Sequence, residues 1–596
     1  MKPLTAIIAA VLILVVAGGI LVNIFVDGGP VKGFDPTPTP PPPANTIPIS
    51  IASSTTKTEW LNAAVEAFNT ASQSDSDLQV NGRPIEVEIL KEKDAVSGRE
   101  RHWNSGTMVK TTLSGDIKPT ILSPATTFWI SWLNSKWRPL NNGRDIASGP
   151  APSLLTTPVV IAMWESRARA LGCWPAPEPT CTWQRLRELA ISPEGWGMVG
   201  HPEWGRFHFG YAYVGESDVG THTVVLFCMI GLQKTAELQV ADVASDNACG
   251  QAIADVEQAI VHRGTASPLI LAAMRDGGPA FLDAVTTYER NVIGFNQQNP
   301  QNSSGPGQMV AVYPQDGTVV ADHPFAVMDN ADWVTDEQVE AAKVFQDFLL
   351  STEQQRKLME SGLRPIDPDI PLGPPIDSSN GANPAADVVK ELQVPDVLVV
   401  DQVVAVWNDL KKPANIVLVF DKSGSMKGEK IEQARTGAIG FVGEMGRKDW
   451  LFWLPFDAQL YPGTQGEKGQ VGEQLEEDIR STTARGGTAL YDAIASAKQD
   501  LDAPRGSLGD TARYGIVVLS DGKDTSSGTT LAMLEDMLRP KEGDQTVIEV
   551  HTIGIGDDAE DEVLTRIAKF SPGGRYWKVE DTSALEAVYR LITKYF

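Results

Sequence analysis

An aspartate and two serines within five residues, Asp421, Ser423 and Ser425, are the groups in this chain whose types and spacing point most directly to chemistry. They set one carboxylate and two hydroxyls on a turn freed by Gly424. Further hard oxygens follow at Thr488, after Gly486 and Gly487, and at Asp521. Hydroxyls joined by few carboxylates suit a small hard cation that keeps part of its water, Mg2+ ahead of Mn2+ or Ca2+, and disfavour metals that seek thiolate or imidazole. Two carboxylates also leave a divalent ion roughly neutral. The competing reading is that Asp421 and Ser423 only cap the helix that follows.

These oxygens need rigid elements to hold them. The apolar run Ile416 to Phe420 reads as a strand buried on both faces, and a helix is expected from near Lys427 to about Met445. Ile516 to Leu519 reads as a second buried strand, ending on Ser520 and Asp521, and Ala489 to Leu501 as the helix behind Thr488. Strands at Trp450 to Phe456 and Val547 to Ile555, and helices at Glu560 to Ala568 and Ser583 to Thr593, complete the segment. The DxSxS string, the later threonine and the later aspartate at a strand end together resemble the metal-ion-dependent adhesion site of von Willebrand factor A (VWA) domains, over residues 412–596. The resemblance implies a doubly wound, Rossmann-like sheet with helices on both faces. It also implies direct coordination by Ser423, Ser425 and Thr488, coordination by Asp421 and Asp521 often through water, and an acidic residue of a partner protein completing the octahedron.

The 596-residue chain has room for several cores, and 42% hydrophobic with 21% charged residues reads as globular. A formal net charge of −26 argues against a phosphate backbone as partner and favours solubility. Leu4 to Val26 is apolar apart from Thr5 and Asn23, long enough to cross a membrane, so residues 1–27 are expected to form an uncleaved signal anchor. With Lys2 ahead of it, the N-terminus is placed in the cytoplasm and the body outside, a single-pass arrangement at the cell membrane. The alternative is a cleaved signal peptide. Residues 28–46 form a Pro-rich linker whose stretch Pro36 to Thr46 reads as an extended polyproline stalk. Four cysteines fit an oxidising compartment, with two local bridges expected from Cys173, Cys181, Cys228 and Cys249, although three pairings are open.

Residues 47–411 alternate apolar strands with helical patterns, as α/β units do. Ile47 to Ala52 leads into a hydroxyl cluster beginning Ser53-Ser54-Thr55 and then a helix, a cradle for an anion or polar ligand. Thr120 to Thr126 repeats the logic before an aromatic helix from Phe128 to Trp137. A third hydroxyl-rich loop, Gly215 to Thr223, precedes the apolar Val224 to Ile230. With Thr157 to Ala162, Asp322-His323-Pro324-Phe325 and the helix Asp336 to Leu350, these segments resemble bacterial extracellular solute-binding proteins. The resemblance implies two α/β lobes joined by crossover strands with solute in the cleft. Ser53, Ser54, Thr55, Ser123 and Thr221 are the candidate solute contacts, with helix capping as the alternative role. Glu289 reads as a solvated surface acid, most of the tryptophans as core, and the third loop lacks the glycine-serine pattern of phosphate or molybdate binders.

The expected function is therefore a non-catalytic, membrane-anchored extracytoplasmic binding protein. It couples a solute-binding module, open to a small-molecule solute, to a Mg2+-dependent protein-binding module. The alternatives are the substrate receptor of an ABC-type uptake system and an adhesion or assembly protein with a vestigial cleft. No GxSxG or HExxH string occurs, and His222 and His551 lack a nucleophile motif, so hydrolase chemistry is not expected.

Overall fold

The computed structural model describes residues 45–93, 100–299, 307–385, 388–508, 511–521, 523–540, 547–556, 559–580 and 584–596. The expected anchor, Leu4 to Val26, and most of the Pro-rich linker lie outside them. Among the described residues no helix is long and apolar enough to cross a membrane.

Two lobes make up the first part. The first is built on a five-stranded sheet in the order Ala326–Val327, Ile121–Ser123, Ile47–Ser53, Arg83–Leu90, Gln79–Val80. Ile47–Ser53 runs parallel to both of its neighbours, so strand ends and helix starts gather at one edge. The second lobe has a six-stranded sheet whose fully buried strand Thr157–Trp164 pairs antiparallel with Ala284–Tyr288 and Met309–Val312. The chain crosses between lobes where Thr156 and Arg364 exchange backbone hydrogen bonds of 2.9 and 3.2 Å. Glu289, expected as a solvated acid, is instead fully buried beside this crossover. Its carboxylate pairs with Arg364 at 2.7 and 2.8 Å and accepts a hydrogen bond from the Tyr313 hydroxyl. A buried charge is tolerated only when paired in this way.

Other expectations need redrawing. The loop read as Gly215 to Thr223 ends at Ser217, which caps a helix Asp218–Leu232 through the Gly220 amide at 3.3 Å. The hydroxyls of Thr221 and Thr223 are spent on carbonyls one turn back, which hid the helix behind a loop-like composition. The apolar stretch Val397 to Trp407 lies within one helix, Val397–Leu410. The cysteines, by contrast, form the two local bridges expected, Cys173 with Cys181 and Cys228 with Cys249.

The last part is a six-stranded sheet in the order Gln465–Glu467, Trp450–Phe456, Ala414–Asp421, Arg513–Ser520, Ile548–Ile555, Tyr576–Val579, parallel except at its first strand. Every residue of Ala414–Asp421 and of Arg513–Ser520 is buried, because helices cover both faces. Fully burying an Ile, Val, Leu or Phe side chain contributes about 1.5–3 kcal/mol. The run Ile416 to Phe420 therefore supplies ample energy to hold a costly acid at its end. Winding reverses between Ala414–Asp421 and Arg513–Ser520, the place where open α/β sheets bind ligands.

The sheet is joined to the second lobe by buried ionic groups. His262 Nδ1 lies 3.1 Å from Glu549, Arg513 pairs with Glu549 at 3.0 Å, and Arg263 donates to the Phe596 carbonyl at 2.8 Å. Lys594 adds a bond of 2.6 Å to Glu216 of the second lobe.

Candidate metal centre and interlobe cleft

At the reversal point the sheet brings Asp421, Ser423, Ser425 and Asp521 together. Ser423 Oγ and Ser425 Oγ are 3.0 Å apart, and Ser425 donates to Asp521 Oδ1 at 2.7 Å. The Ser423 amide donates to Asp421 Oδ1 at 2.7 Å, and the Ser520 hydroxyl to Asp421 Oδ2 at 2.5 Å. Asp421 and Asp521 are fully buried, whereas Ser425 faces solvent. The turn is a short 3-10 segment, Gly424–Met426, and the helix starts at Glu429, slightly later than its pattern suggests. The Gly424 amide donates to the Gly486 carbonyl at 3.0 Å, which docks the threonine loop on this turn. Gly486 has φ +82°, and a Cβ there would meet Asp457 at 3.1 Å, so glycine is required. Thr488 is buried and fixed through its amide, which donates to Thr525 Oγ1 at 3.0 Å.

Burial pushes the Asp421 carboxyl up to about 6 against its hydrogen bonds from Ser520 and Ser423, and the neighbouring Asp521 adds to the rise. One cationic side chain does reach the centre. Lys430 Nζ donates to Asp521 Oδ2 at 2.7 Å. Two buried carboxylates against one ammonium leave a net negative centre ringed by hydroxyl oxygens, a donor set that fits a small hard cation. Among the described residues no group of three or more His, Cys, Asp and Glu side chains is placed to hold a metal ion, so hydroxyls would supply most of the ligands. Sequence reasoning missed Lys430 and Ser520. Both were within reach, in the first turn of the helix after the DxSxS string and next to Asp521. Asp457 and Asp524 act as loop acids: Asp457 pairs with Lys422 at 2.5 Å, and Asp524 accepts from the Tyr491 amide at 3.0 Å.

The second polar site lies between the lobes. Ser54 and Thr55 line a cavity of only about 30 Å3, with Ser105, Ser217, Asp218 and Tyr288 among the other lining residues. Ser54 sits at the N-cap position without capping through its side chain. Its hydroxyl instead meets Lys57 Nζ at 3.0 Å, and Lys57 also reaches the Ser123 carbonyl at 2.8 Å and His323 Nδ1 at 3.1 Å. Ser53 Oγ makes a 3.4 Å bond to the Ser54 carbonyl, and the buried Ser123 hydroxyl has no partner among the described residues. Thr221 is not among the residues lining the cavity, since its hydroxyl donates to the Ser217 carbonyl at 2.8 Å.

At the centre of the cleft is a residue that sequence reasoning quoted but did not single out. Asp218 Oδ1 accepts from Thr126 at 2.6 Å and from Trp129 Nε1 at 2.7 Å, both from the first lobe. Its Oδ2 accepts from the Tyr288 hydroxyl at 2.6 Å, with His222 Nδ1 at 3.2 Å. Burial alone would raise its pKa. The charge of His222 and the hydrogen bonds from His222, Thr126 and Tyr288 outweigh that and hold it at about 2. Burial pushes Lys57 well below its ordinary value against the pull of Asp322 and Asp218, and burial and then Lys57 push His323 down.

The family model described as bacterial extracellular solute-binding protein matches residues 49–364, more than half of the chain. The chain belongs to the bacterial extracellular solute-binding proteins. The model for the von Willebrand factor type A domain matches residues 415–591, so this solute-binding protein also carries a VWA domain. An uncharacterised protein of Synechocystis sp. is 26% identical over 187 residues, which make up 31% of this chain and 43% of that protein. Inter-alpha-trypsin inhibitor heavy chain H4 of Sus scrofa is 29% identical over 171 residues, 27% of this chain and 18% of that protein. The match thus spans less than half the length of either relative. Among solved structures, an ABC transporter protein of Clostridium perfringens aligns over 61% of this chain and 99% of its own, with 13% identity and a TM-score of 0.39.

Proposed function

We propose that this solute-binding protein is a non-catalytic binding protein in which Asp421, Ser423, Ser425, Thr488 and Asp521 hold Mg2+ and so present it to an acidic side chain of a protein partner. The observation that carries this reading is the convergence of Ser423 and the solvent-facing Ser425 with the buried carboxylates of Asp421 and Asp521, with one ammonium against two acids. Bound there, Mg2+ would supply a Lewis-acid site for a carboxylate. The chain's own part is to hold the hydroxyls in register, through the Gly424 to Gly486 bond, and to keep water from the acids. In this reading Leu4 to Val26 anchors the protein in the cell membrane, and the Pro-rich linker holds the two domains outside.

The test is isothermal titration of the purified protein with MgCl2, alongside a thermal melt with and without EDTA. Saturable Mg2+ binding that disappears in Asp421→Ala supports the assignment. Equal heats in both proteins would sink it. A second reading, an assembly protein whose cleft no longer serves transport, is favoured by the cavity of about 30 Å3, which has room for about one or two waters.

A further inference from the structure

In the interlobe cleft the donors that would greet a solute already have an acceptor, and it belongs to the protein. Thr126 Oγ1 and Trp129 Nε1 of the first lobe and the Tyr288 hydroxyl of the second all point at the Asp218 carboxylate, at 2.6 to 2.7 Å. One buried carboxylate thus bridges the lobes as the anionic group of a bound solute would.

Two further ties act nearby. The Gly106 amide of the first lobe donates to the Glu216 carbonyl at 2.9 Å, and the backbones approach so closely that a Cβ on Gly106 would lie 2.6 Å from the Glu216 Cα. The helix Val397–Leu410, which follows the solute-binding domain, reaches both lobes. Its Asp401 accepts from Trp132 Nε1 at 3.3 Å and pairs with Lys136 at 2.9 Å, on the same first-lobe helix that carries Trp129. Two turns on, its Trp407 donates to the Tyr211 hydroxyl at 2.7 Å and to Glu257 at 3.0 Å in the second lobe. On the same helix Val399, Val400 and Val403 share one apolar core with Leu133 and Phe227.

We propose that the solute-binding domain is built to stay closed without solute, with Asp218 as an internal ligand in the cleft and the helix Val397–Leu410 as a strap across the two lobes. A solute enters only by displacing Asp218, and the donors it then finds donate to an anionic oxygen such as that of a carboxylate. The closed domain serves the VWA domain as a rigid platform. The VWA strand Ala414–Asp421 begins four residues after the strap ends.

Spin labels at the exposed positions Glu66→Cys and Gln251→Cys report the distance between lobes in the full chain, because all four native cysteines are paired. Dialysed protein is expected to give one narrow distance distribution that 10 mM acetate does not move. A second, longer population of comparable size would overturn the proposal. Gly106→Val, which wedges the lobes while leaving Asp218 in place, is expected to lengthen the distance, and Asp401→Ala to broaden it. An unchanged distance in a folded Gly106→Val protein overturns the proposal as well. In Asp218→Ala, acetate but not formamide is expected to raise the melting temperature by several degrees, while neither affects the parent. Equal responses to the two additives would show that the donors do not form a carboxylate site.

Discussion

Two buried aspartates, Asp218 at the start of a helix and Asp421 at the end of a strand, meet opposite fates. Asp218 collects donors from both lobes and is held at about 2, whereas Asp421 is pushed up to about 6. The difference is not burial but the number and kind of donors. Asp218 has a hydroxyl, an indole, a phenol and an imidazole around it, and Asp421 has one hydroxyl, one serine and an acidic neighbour. A satisfied carboxylate holds a structure together; an unsatisfied one stores free energy that a cation can release.

The largest expected effect that sharpens this contrast is at Asp218. Asp218→Ala leaves three buried donors without an acceptor and is expected to cost about 3–5 kcal/mol, read from urea unfolding monitored by tryptophan fluorescence. A loss below 1 kcal/mol would break the comparison. Asp421→Asn should go the other way. Relieving a buried, under-neutralised charge is expected to stabilise the metal-free protein by about 1–3 kcal/mol and to abolish stabilisation by Mg2+, as calorimetry with EDTA and with MgCl2 would show.

Acid should then act on the cleft side. His102 is lowered to about 4 by burial and by Lys57 and Lys91. Above pH 6.5 neither state binds this proton. Between 6.5 and 4 only the unfolded chain does, so stability falls as pH drops, by up to about 1.4 kcal/mol per pH unit for this group, and the loss levels off below 4. His102→Gln is expected to flatten that part of the profile. Lys430→Met, which removes the ammonium from Asp521, should tighten Mg2+ binding by about tenfold in titration calorimetry. The smallest effect is Lys136→Ala. Its pair with Asp401 is exposed, so less than about 1 kcal/mol is expected in equilibrium unfolding.

Much of the VWA domain was legible because its strands read as unbroken apolar runs ending on acids, and parallel sheets covered on both faces write that pattern plainly. Trp450–Phe456 was bounded to the residue, and Ile548–Ile555 missed by one position. The cleft was less legible. Asp218, Lys57 and Glu289 are charged residues that periodicity assigns to solvent, and only partners tens to hundreds of positions away, such as Arg364 or His323, make their burial tolerable. A helix start written in Ser, Asp, Gly and Thr looked like a loop for the same reason: side chain to backbone bonds within one turn leave no trace in composition.

The strand ending in Asp421 has a mechanical meaning as well. It is registered over seven residue pairs with a parallel neighbour on each side. For a partner gripped at Asp421, tension along the strand loads both ladders in shear, with all pairs sharing it. The force then passes to Lys412, whose amide and ammonium grip Glu257, Gln258 and Ile260 of the second lobe. Such an anchorage yields only when many bonds fail together, which is what the proposed grip on a protein partner would ask of it.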